Sequence, residues 1–402
     1  MKYTAEEIIQ YVNEEDVKFI RLAFCDIYGK QKNISVMPSE LERAFSYGIA
    51  IDASAVRGFG GDVHSDLFLH PDPDTLAVLP WRPEQGKVVR MFCTVSHPDG
   101  SQFECDTRSI LIRAAEDAKK AGYSFYFGTE IEFYLFRLDG NGDPTRVPYD
   151  SAGYMDMAPE DKGENVRREI CLTLEQMGIY PECSHHEEGP GQNEIDFRYS
   201  DALSAADNAM TFSTVVKAVA LQNGLCADFS PKPIPDKPGS GLHINVSVQS
   251  SGGSVPYPAV MSGILDKAQD MTVFLNPLES SYLRLGSFKA PRYISWSEEN
   301  RSQLIRIPAA YGPYRRFELR SPDPAANPYL AFALLIYAGL EGIEQNMQLP
   351  PAANVNLFTA SEEVKDRFAT LPSSLEKAKA TALKSDFIAR HLPEALIRHY
   401  CR

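Results

Sequence analysis

The segment SFYFGTEIEFYLF (124–136) places Phe125, Phe127, Ile131, Phe133 and Leu135 at one parity and Glu130 and Glu132 at the other. Side chains of a β-strand alternate between faces, so a strand here buries the first set and presents both carboxylates together on the opposite side. Three further segments repeat the design. In GQNEIDFR (191–198), Ile195 and Phe197 oppose Gln192, Glu194, Asp196 and Arg198. In GLHINVSV (241–248), Leu242, Ile244, Val246 and Val248 oppose His243, Asn245 and Ser247. In RFELR (316–320), Phe317 and Leu319 oppose Arg316, Glu318 and Arg320. Each segment alone reads as a strand of an antiparallel sheet with one wet face.

Together they say more. An ordinary wet face mixes Thr, Ser, Lys and Gln, whereas these faces are heavy in Glu, His and Arg. Carboxylates gathered on one surface repel, and each raises the pKa of its neighbour. Bound cations remove that penalty, and oxygen ligands with one imidazole suit Mg²⁺ or Mn²⁺ better than Zn²⁺. The stretch ECSHHEEGPGQNEID (182–196) adds five acids, two histidines and no base. Its GPGQ turn brings Glu187 or Glu188 near Glu194. Adjacent histidines face opposite ways on a strand, so at most one of His185 and His186 reaches a site, and both read first as structural hydrogen-bonding residues.

The opposite charge follows later. From Arg284 to Arg320 there are eight basic residues, including Lys289, Arg301, Arg306 and Arg316, against three glutamates. Arg forks match the oxygens of phosphate and carboxylate. Clustered metal carboxylates with an arginine group describe phosphoryl transfer. Neither GxxxxGK[ST] nor GxGxxG is present, so the phosphate machinery is of another kind. The glycine-rich GFGGD (58–62) reads as a plain turn.

The 402-residue chain carries a formal net charge of −14, which argues against nucleic-acid or anionic-membrane binding. No run of apolar residues is long enough to span a bilayer. The acidic N-terminus has no apolar signal core, and the seven cysteines are scattered without a CxxC pair. A cytoplasmic location with reduced, mostly buried thiols is expected. Residues 4–14 read as a short helix and 17–37 as a hairpin turning at Tyr28-Gly29. The run VVRMFCTV (88–95) reads as a strand. Helices are expected over 107–121, 159–178, 201–223 and 325–346. The division expected is a small strand-rich domain, 1–103, and a larger domain, 104–402.

The motifs FGTEIEF (127–133), SHHEEGPGQNEI (184–195), FSPKP (229–233), GSGLHINVS (239–247), SSYLRL (280–285), NRSQLIRIP (300–308) and RFELRSPDPAANPYLAF (316–332) resemble, in order and spacing, the glutamine synthetase family of the bacterial type. The segment IDASAVRGFGGDVHSDLFLHPDPDT (51–75) is similar to the one that completes the active site of a neighbouring subunit. The resemblance implies an α+β fold: an N-terminal β-grasp domain, then a catalytic domain whose curved antiparallel sheet lines a funnel-shaped site. It implies self-association into a hexameric ring, single or stacked as a dodecamer. It implies ATP and two or more Mg²⁺ or Mn²⁺ ions, one held by Glu132, Glu187 and Glu194, the other by Glu130, His243 and Glu318. Arg301, Arg306 and Arg316 fall at ATP-contacting positions, and Glu182 and Ser247 at further nucleotide positions. Gly239, Arg284 and Arg320 fall where glutamate is held, and Asp52 where ammonium is bound and deprotonated.

The implied reaction converts the glutamate carboxylate to an acyl phosphate, which an amine then displaces. Several positions depart from the family pattern. Lys289 stands where a flap glutamate is usual, with Glu298 or Glu299 as its expected partner if it turns outward. Pro238-Gly239 replaces Asn-Gly, Asn245 replaces a histidine, and Leu357 stands at the position of a modified tyrosine. The chain also stops short of a C-terminal helix that grips an opposite ring, so weaker ring stacking is expected. Glutamine synthesis is the first reading. A γ-glutamyl ligase for another amine is the second, and a regulatory nucleotide- and metal-binding homologue the third.

Overall fold

The computed structural model describes residues 3–60, 65–82, 85–310, 312 and 315–401. Gly61 and Asp62 of the glycine-rich stretch, with the rest of 61–64, lie outside them. The helix Ala5–Glu14 starts on a capping box between Thr4 and Glu7. Six strands follow: β1 (Val17–Cys25), β2 (Gln31–Val36), β3 (Ile49–Asp52), β4 (Asp66–Pro71), β5 (Ala77–Val78) and β6 (Lys87–Ser96). They form one sheet ordered β2-β1-β6-β4-β3, with β5 against β6. The β1–β2 hairpin turns where expected. Asp26 accepts from the backbone N–H groups of Tyr28 and Lys30, and Gly29 takes the φ of +77° that a side chain disfavours. β1 and β6 run parallel, an arrangement that local alternation does not encode.

The second sheet has nine strands: β7 (Tyr123–Leu138), β8 (Pro144–Pro148), β9 (Pro181–His186), β10 (Gln192–Asp201), β11 (Leu225–Asp228), β12 (Leu242–Ser250), β13 (Trp296–Glu298), β14 (Ile305–Ile307) and β15 (Phe317–Leu319). Its order is β13-β14-β15-β12-β7-β10-β9, with β8 and β11 also on β7. All pairs but β13–β14 are antiparallel. The sixteen-residue β7 is the spine. Along Tyr123–Ile131 it pairs with β12, then from Tyr134 it pairs with β11. That exchange of partners curls the sheet.

The expected parity holds. Phe125, Phe127, Ile131, Phe133 and Leu135 are buried against helices, and Phe127 stacks on Phe332 at 4.3 Å between centroids. The other face is acidic only as far as Glu132. Beyond it Tyr134 and Phe136 are also buried. The four longer helices expected from the sequence span Thr107–Lys120, Glu164–Gln176, Ala202–Gln222 and Pro328–Glu344. Two begin later than the sequence suggests. Asp161 accepts from the Gly163 N–H and binds Arg167, fixing a loop ahead of Glu164. Asn327 caps the last of the four by accepting from the Tyr329 N–H, with Pro328 in the first turn.

One buried guanidinium joins the two sheets' domains. Arg108 donates to both oxygens of Asp207 and to Asp72, and Tyr329 donates its hydroxyl to Asp207 at 2.6 Å. A buried carboxylate stripped of its partner is strongly destabilising. Arg108→Met is therefore expected to lower the unfolding free energy by about 3–5 kcal/mol. An exposed control, Arg43→Met, should change it by less than about 0.5 kcal/mol. Urea unfolding followed by circular dichroism compares them, and equal losses would remove Arg108 as the joint.

Candidate active site

Register places the acidic side chains in two rows across the concave face. One row runs His185, Glu194, Glu132 on β9, β10 and β7. The next runs Cys183, Asp196, Glu130, His243 on β9, β10, β7 and β12. Glu318 enters from β15, opposite Asn245. Directly opposed residues of an antiparallel pair have Cβ atoms about 5 Å apart, and like charges there are destabilising. Glu132 faces Glu194, and Glu130 faces Asp196, so the sheet stacks repulsion on repulsion.

The side chains show how each group is held. His243 Nδ1 lies 3.3 Å from Glu130 and 3.7 Å from Glu318, and its Nε2 lies 4.0 Å from Glu132. Asn245 donates to Glu130 at 2.9 Å. Glu132 accepts from the Gly241 N–H at 2.7 Å and from Gln192 at 3.1 Å. A Cβ at Gly241 would come within 2.7 Å of His243 and 2.8 Å of Arg284, so a side chain there would displace both groups. His185 reaches Glu194 at 3.1 Å and Glu187 at 3.6 Å. Among the described residues on this face, two groups of ligand atoms are compact enough to hold an ion: Glu130, Glu194 and His243, and His185, Glu187 and Glu194. Glu194 belongs to both.

The cost of this assembly appears in the ionisation. Burial, together with Asp196, Glu132, Glu130 and Glu187, pushes Glu194 well above the usual carboxylate range. Burial and Glu130 push Asp196 up to about 8, and burial and Glu132 push Glu187 up to about 7. Glu130 goes the other way. Burial opposes its ionisation, but His243 and Asn245 bring it down to about 2. Asp196 Oδ1 is buried with no hydrogen-bond partner. Buried anions of this kind keep protons or take cations. The carboxylate-rich donor set with an imidazole fits hard divalent ions.

These groups line a cavity of about 430 Å³. Of the residues singled out in the sequence, Glu130, Glu132, Glu187, Glu194, Gly239, His243, Arg284, Arg301, Arg306 and Arg320 all line it. Glu318 lies beneath, fully buried, bonded to Arg320 and 2.9 Å from Arg306. Arg284 is buried and anchored to the Ser321 carbonyl at 2.7 Å. A Cβ at Gly239 would meet the Pro231 carbonyl at 2.3 Å, so the loop beside Arg284 requires glycine. Arg316, Ser247, Glu182 and Asp52 are not among the lining residues. Arg316 donates to Asn245 at 2.8 Å, Ser247 pairs in register with Tyr126, and Glu182 is exposed on β9. Asp52 is exposed on the N-terminal sheet, with its carboxylate accepting from Ser54.

Several cavity residues escaped the sequence reading. Cys183 donates to Asp196 at 2.7 Å, whereas most of the cysteines are buried as expected. Tyr154 stands edge-on to His185, its ring centroid 5.4 Å away. His186 is the structural member of the histidine pair: it binds Asp150 at 2.8 Å and the Glu187 carbonyl at 2.6 Å. Asp150 also takes the Gly191 N–H, so the turn that carries Glu187 is fixed from behind. Asp150, Asp161 and His186 lie close enough to hold an ion, but protein donors already occupy their oxygens. Lys289 pairs neither with Glu298 nor with Glu299. It meets Glu188 at 2.6 Å and lies 5.1 Å from the centre of the Tyr154 ring. The loop following Arg284 folds back onto itself through Gly286 and Ala290, and this turns Lys289 toward the cavity mouth.

Comparison with known proteins agrees with this geometry. Residues 16–98 match the family model described as glutamine synthetase, beta-Grasp domain, and residues 104–402 match glutamine synthetase, catalytic domain. A glutamine synthetase of Clostridium saccharobutylicum is 44% identical over 415 residues, covering 99% of this chain and 94% of that protein. One from Methanosarcina mazei is 44% identical over 412 residues, covering 99% and 92%. A solved GmaS/ADP complex superposes with a TM-score of 0.88 at 28% identity, covering 98% of this chain and 93% of that one. The Plasmodium falciparum glutamine synthetase shares the fold at a TM-score of 0.87 and 22% identity, covering 100% and 95%. On its motifs, its two sheets and these relatives, the chain belongs to the glutamine synthetase family.

Proposed function

We propose that this chain ligates glutamate and ammonium to glutamine at the expense of ATP, through a γ-glutamyl phosphate. The observation that carries the reading is the pair of opposed carboxylate rows with arginines along their edge. Glu130, Glu194, His243, Glu318, Glu132, Glu187 and His185 would hold two or more Mg²⁺ or Mn²⁺ ions. Bound there, the ions supply charge neutralisation between the ATP phosphates and the substrate carboxylate. Arg301, Arg306 and Arg316, with Glu182 and Ser247, face the nucleotide in this reading. Gly239, Arg284 and Arg320 orient glutamate, and buried Arg320 also holds Glu318 in place. Arg301 and Arg320 stabilise charge as the carboxylate attacks the γ-phosphate and later as ammonia adds. Asp52 serves the site of a neighbouring subunit, taking the proton from ammonium there, so self-association is part of the proposal, as a hexameric ring, single or stacked as a dodecamer.

Glu194→Ala should lower turnover by about a hundred- to a thousandfold, as expected when transition-state charge loses its support. Phosphate release with ATP, glutamate and ammonium measures this. Turnover within a few-fold of the wild type at limiting Mg²⁺ would defeat the assignment.

The raised carboxyls give a pH signature. Glu187 and Asp196 titrate near 7 and 8 in the fold against ordinary values of 4.5 and 3.8, so the folded state holds more protons over that range. Stability of the metal-free protein is then present at low pH and falls as pH rises toward about 8. Mg²⁺ should raise the melting temperature more at pH 8 than at pH 6, because at pH 6 it must displace protons. Equal increments at the two values would contradict the shared-site picture.

Lys289 sets the test for the amine. Its pair with Glu188 is half-exposed, so its field is worth about 1 kcal/mol or less. Lys289→Glu should lower the ammonium KM by about two- to fivefold. Identical ammonium KM in wild type, Lys289→Glu and Lys289→Ala would leave Lys289 without a part in the reaction. The same assays with a panel of amines distinguish ammonium from a larger acceptor.

A further inference from the structure

Far from the carboxylate rows, the parallel pairing of β1 with β6 sets Arg21 directly beside Arg90. Adjacent strands lie about 4.8 Å apart, so two guanidinium stems leave the sheet side by side. Both line a cavity of about 300 Å³ under the helix Ala202–Gln222, and Arg82 enters the same cavity next to Trp81. Among the described residues, no carboxylate lines this cavity and none forms an ion pair with Arg21, Arg82 or Arg90. Arg108 nearby shows the usual solution, with two aspartates on one guanidinium.

Two of the three, Arg90 and Arg21, are held at a cost, whereas Arg82 is exposed. Arg90 is buried, donates one bond to Thr211 at 3.0 Å and lies 3.9 Å from the Phe92 ring centre. Burial lowers its pKa to about 10. Arg21 Nε is buried without a hydrogen-bond partner, and burial and Arg82 both weaken the protonation of Arg21. Like charges gathered in a partly desolvated cavity repel, and the buried Nε of Arg21 has no acceptor. In a chain of net charge −14 such a concentration of positive charge is not a by-product of composition.

We propose that this cavity binds a compact anion carrying at least two negative charges, a phosphate group or a short dicarboxylate. Such a ligand accepts from the arginine forks in pairs and removes their mutual repulsion. Gln31 and Thr214, already bonded to each other at 3.0 Å, supply further polar contacts, and the Trp81 indole forms an apolar wall. The site shares no residue with the active-site cavity. A ligand in it ties β1 and β6 of the first sheet to a helix of the larger domain. The proposal does not depend on the ligase reading.

Titration of the full-length protein with inorganic phosphate, pyrophosphate and succinate tests it, with Trp81 fluorescence and melting temperature as readouts. Glu194→Ala protein run in parallel separates this site from the active site. A saturable response to at least one anion is expected in both proteins, and the responding anion tells phosphate from carboxylate chemistry. Arg82→Ala should weaken it by at least about tenfold, the worth of one charge-assisted contact. Arg21→Leu should abolish the anion response while melting above the wild type in buffer free of polyvalent anions, because it relieves repulsion. The absence of a saturable response to all three anions overturns the proposal. So does a response unchanged in Arg82→Ala and Arg21→Leu, or an anion-free Arg21→Leu protein that melts below the wild type.

Discussion

The direct opposition of Glu132 to Glu194 and of Glu130 to Asp196 across β7 and β10 is the constraint around which the larger domain is built. Left alone, four carboxylates at cross-strand spacing would push the sheet apart. The opposite face prevents this. Phe133 and Phe197 pack with Phe212 on the helix Ala202–Gln222, and Phe127 stacks on Phe332. Burial of large aromatic side chains contributes roughly 1.5–3 kcal/mol each. A slip of one residue would exchange the two faces, sending acids into that core, so the register is held by the same contrast that makes the site.

Around the rows the charge is balanced by position. His243 and Asn245 keep Glu130 ionised, while Glu187 and Asp196 are left with high proton affinity. Arg306 on β14 and Arg320, just beyond β15, bracket the fully buried Glu318. The result is an anionic floor with a cationic edge, each group held by named partners. Preorganised charge of this sort acts without reorganisation at the moment of reaction.

Much of this was legible in the sequence because strand parity is local. The parity of 124–136, 191–198 and 241–248 sorted acids from core residues correctly, and the hairpin at Tyr28-Gly29 followed from turn chemistry. What parity cannot give is which strands meet. The sharing of Glu194 between two ligand groups depends on the β9–β10–β7 register, and the contact of Cys183 with Asp196 does too. Asp150 was invisible for a different reason: it reaches His186 across 36 residues from a loop with no periodic signal. The starts of two helices were misplaced because side chains set them: Asn327 caps the orphan N–H of Tyr329, and Asp161 takes the Gly163 N–H just ahead of Glu164.

Lys289, Glu188 and Tyr154 sit on loops at the cavity mouth, outside the strand ladder. Replacing them disturbs no register and empties no core, whereas the floor is set by opposed carboxylates and by Gly239, which admits no side chain. The two layers are therefore free to drift at different rates. A substitution at Lys289, Glu188 or Tyr154 changes what meets the cavity entrance and leaves the pairing of the carboxylate rows untouched. The fold in this sense keeps the geometry of its floor separate from the chemistry of its rim.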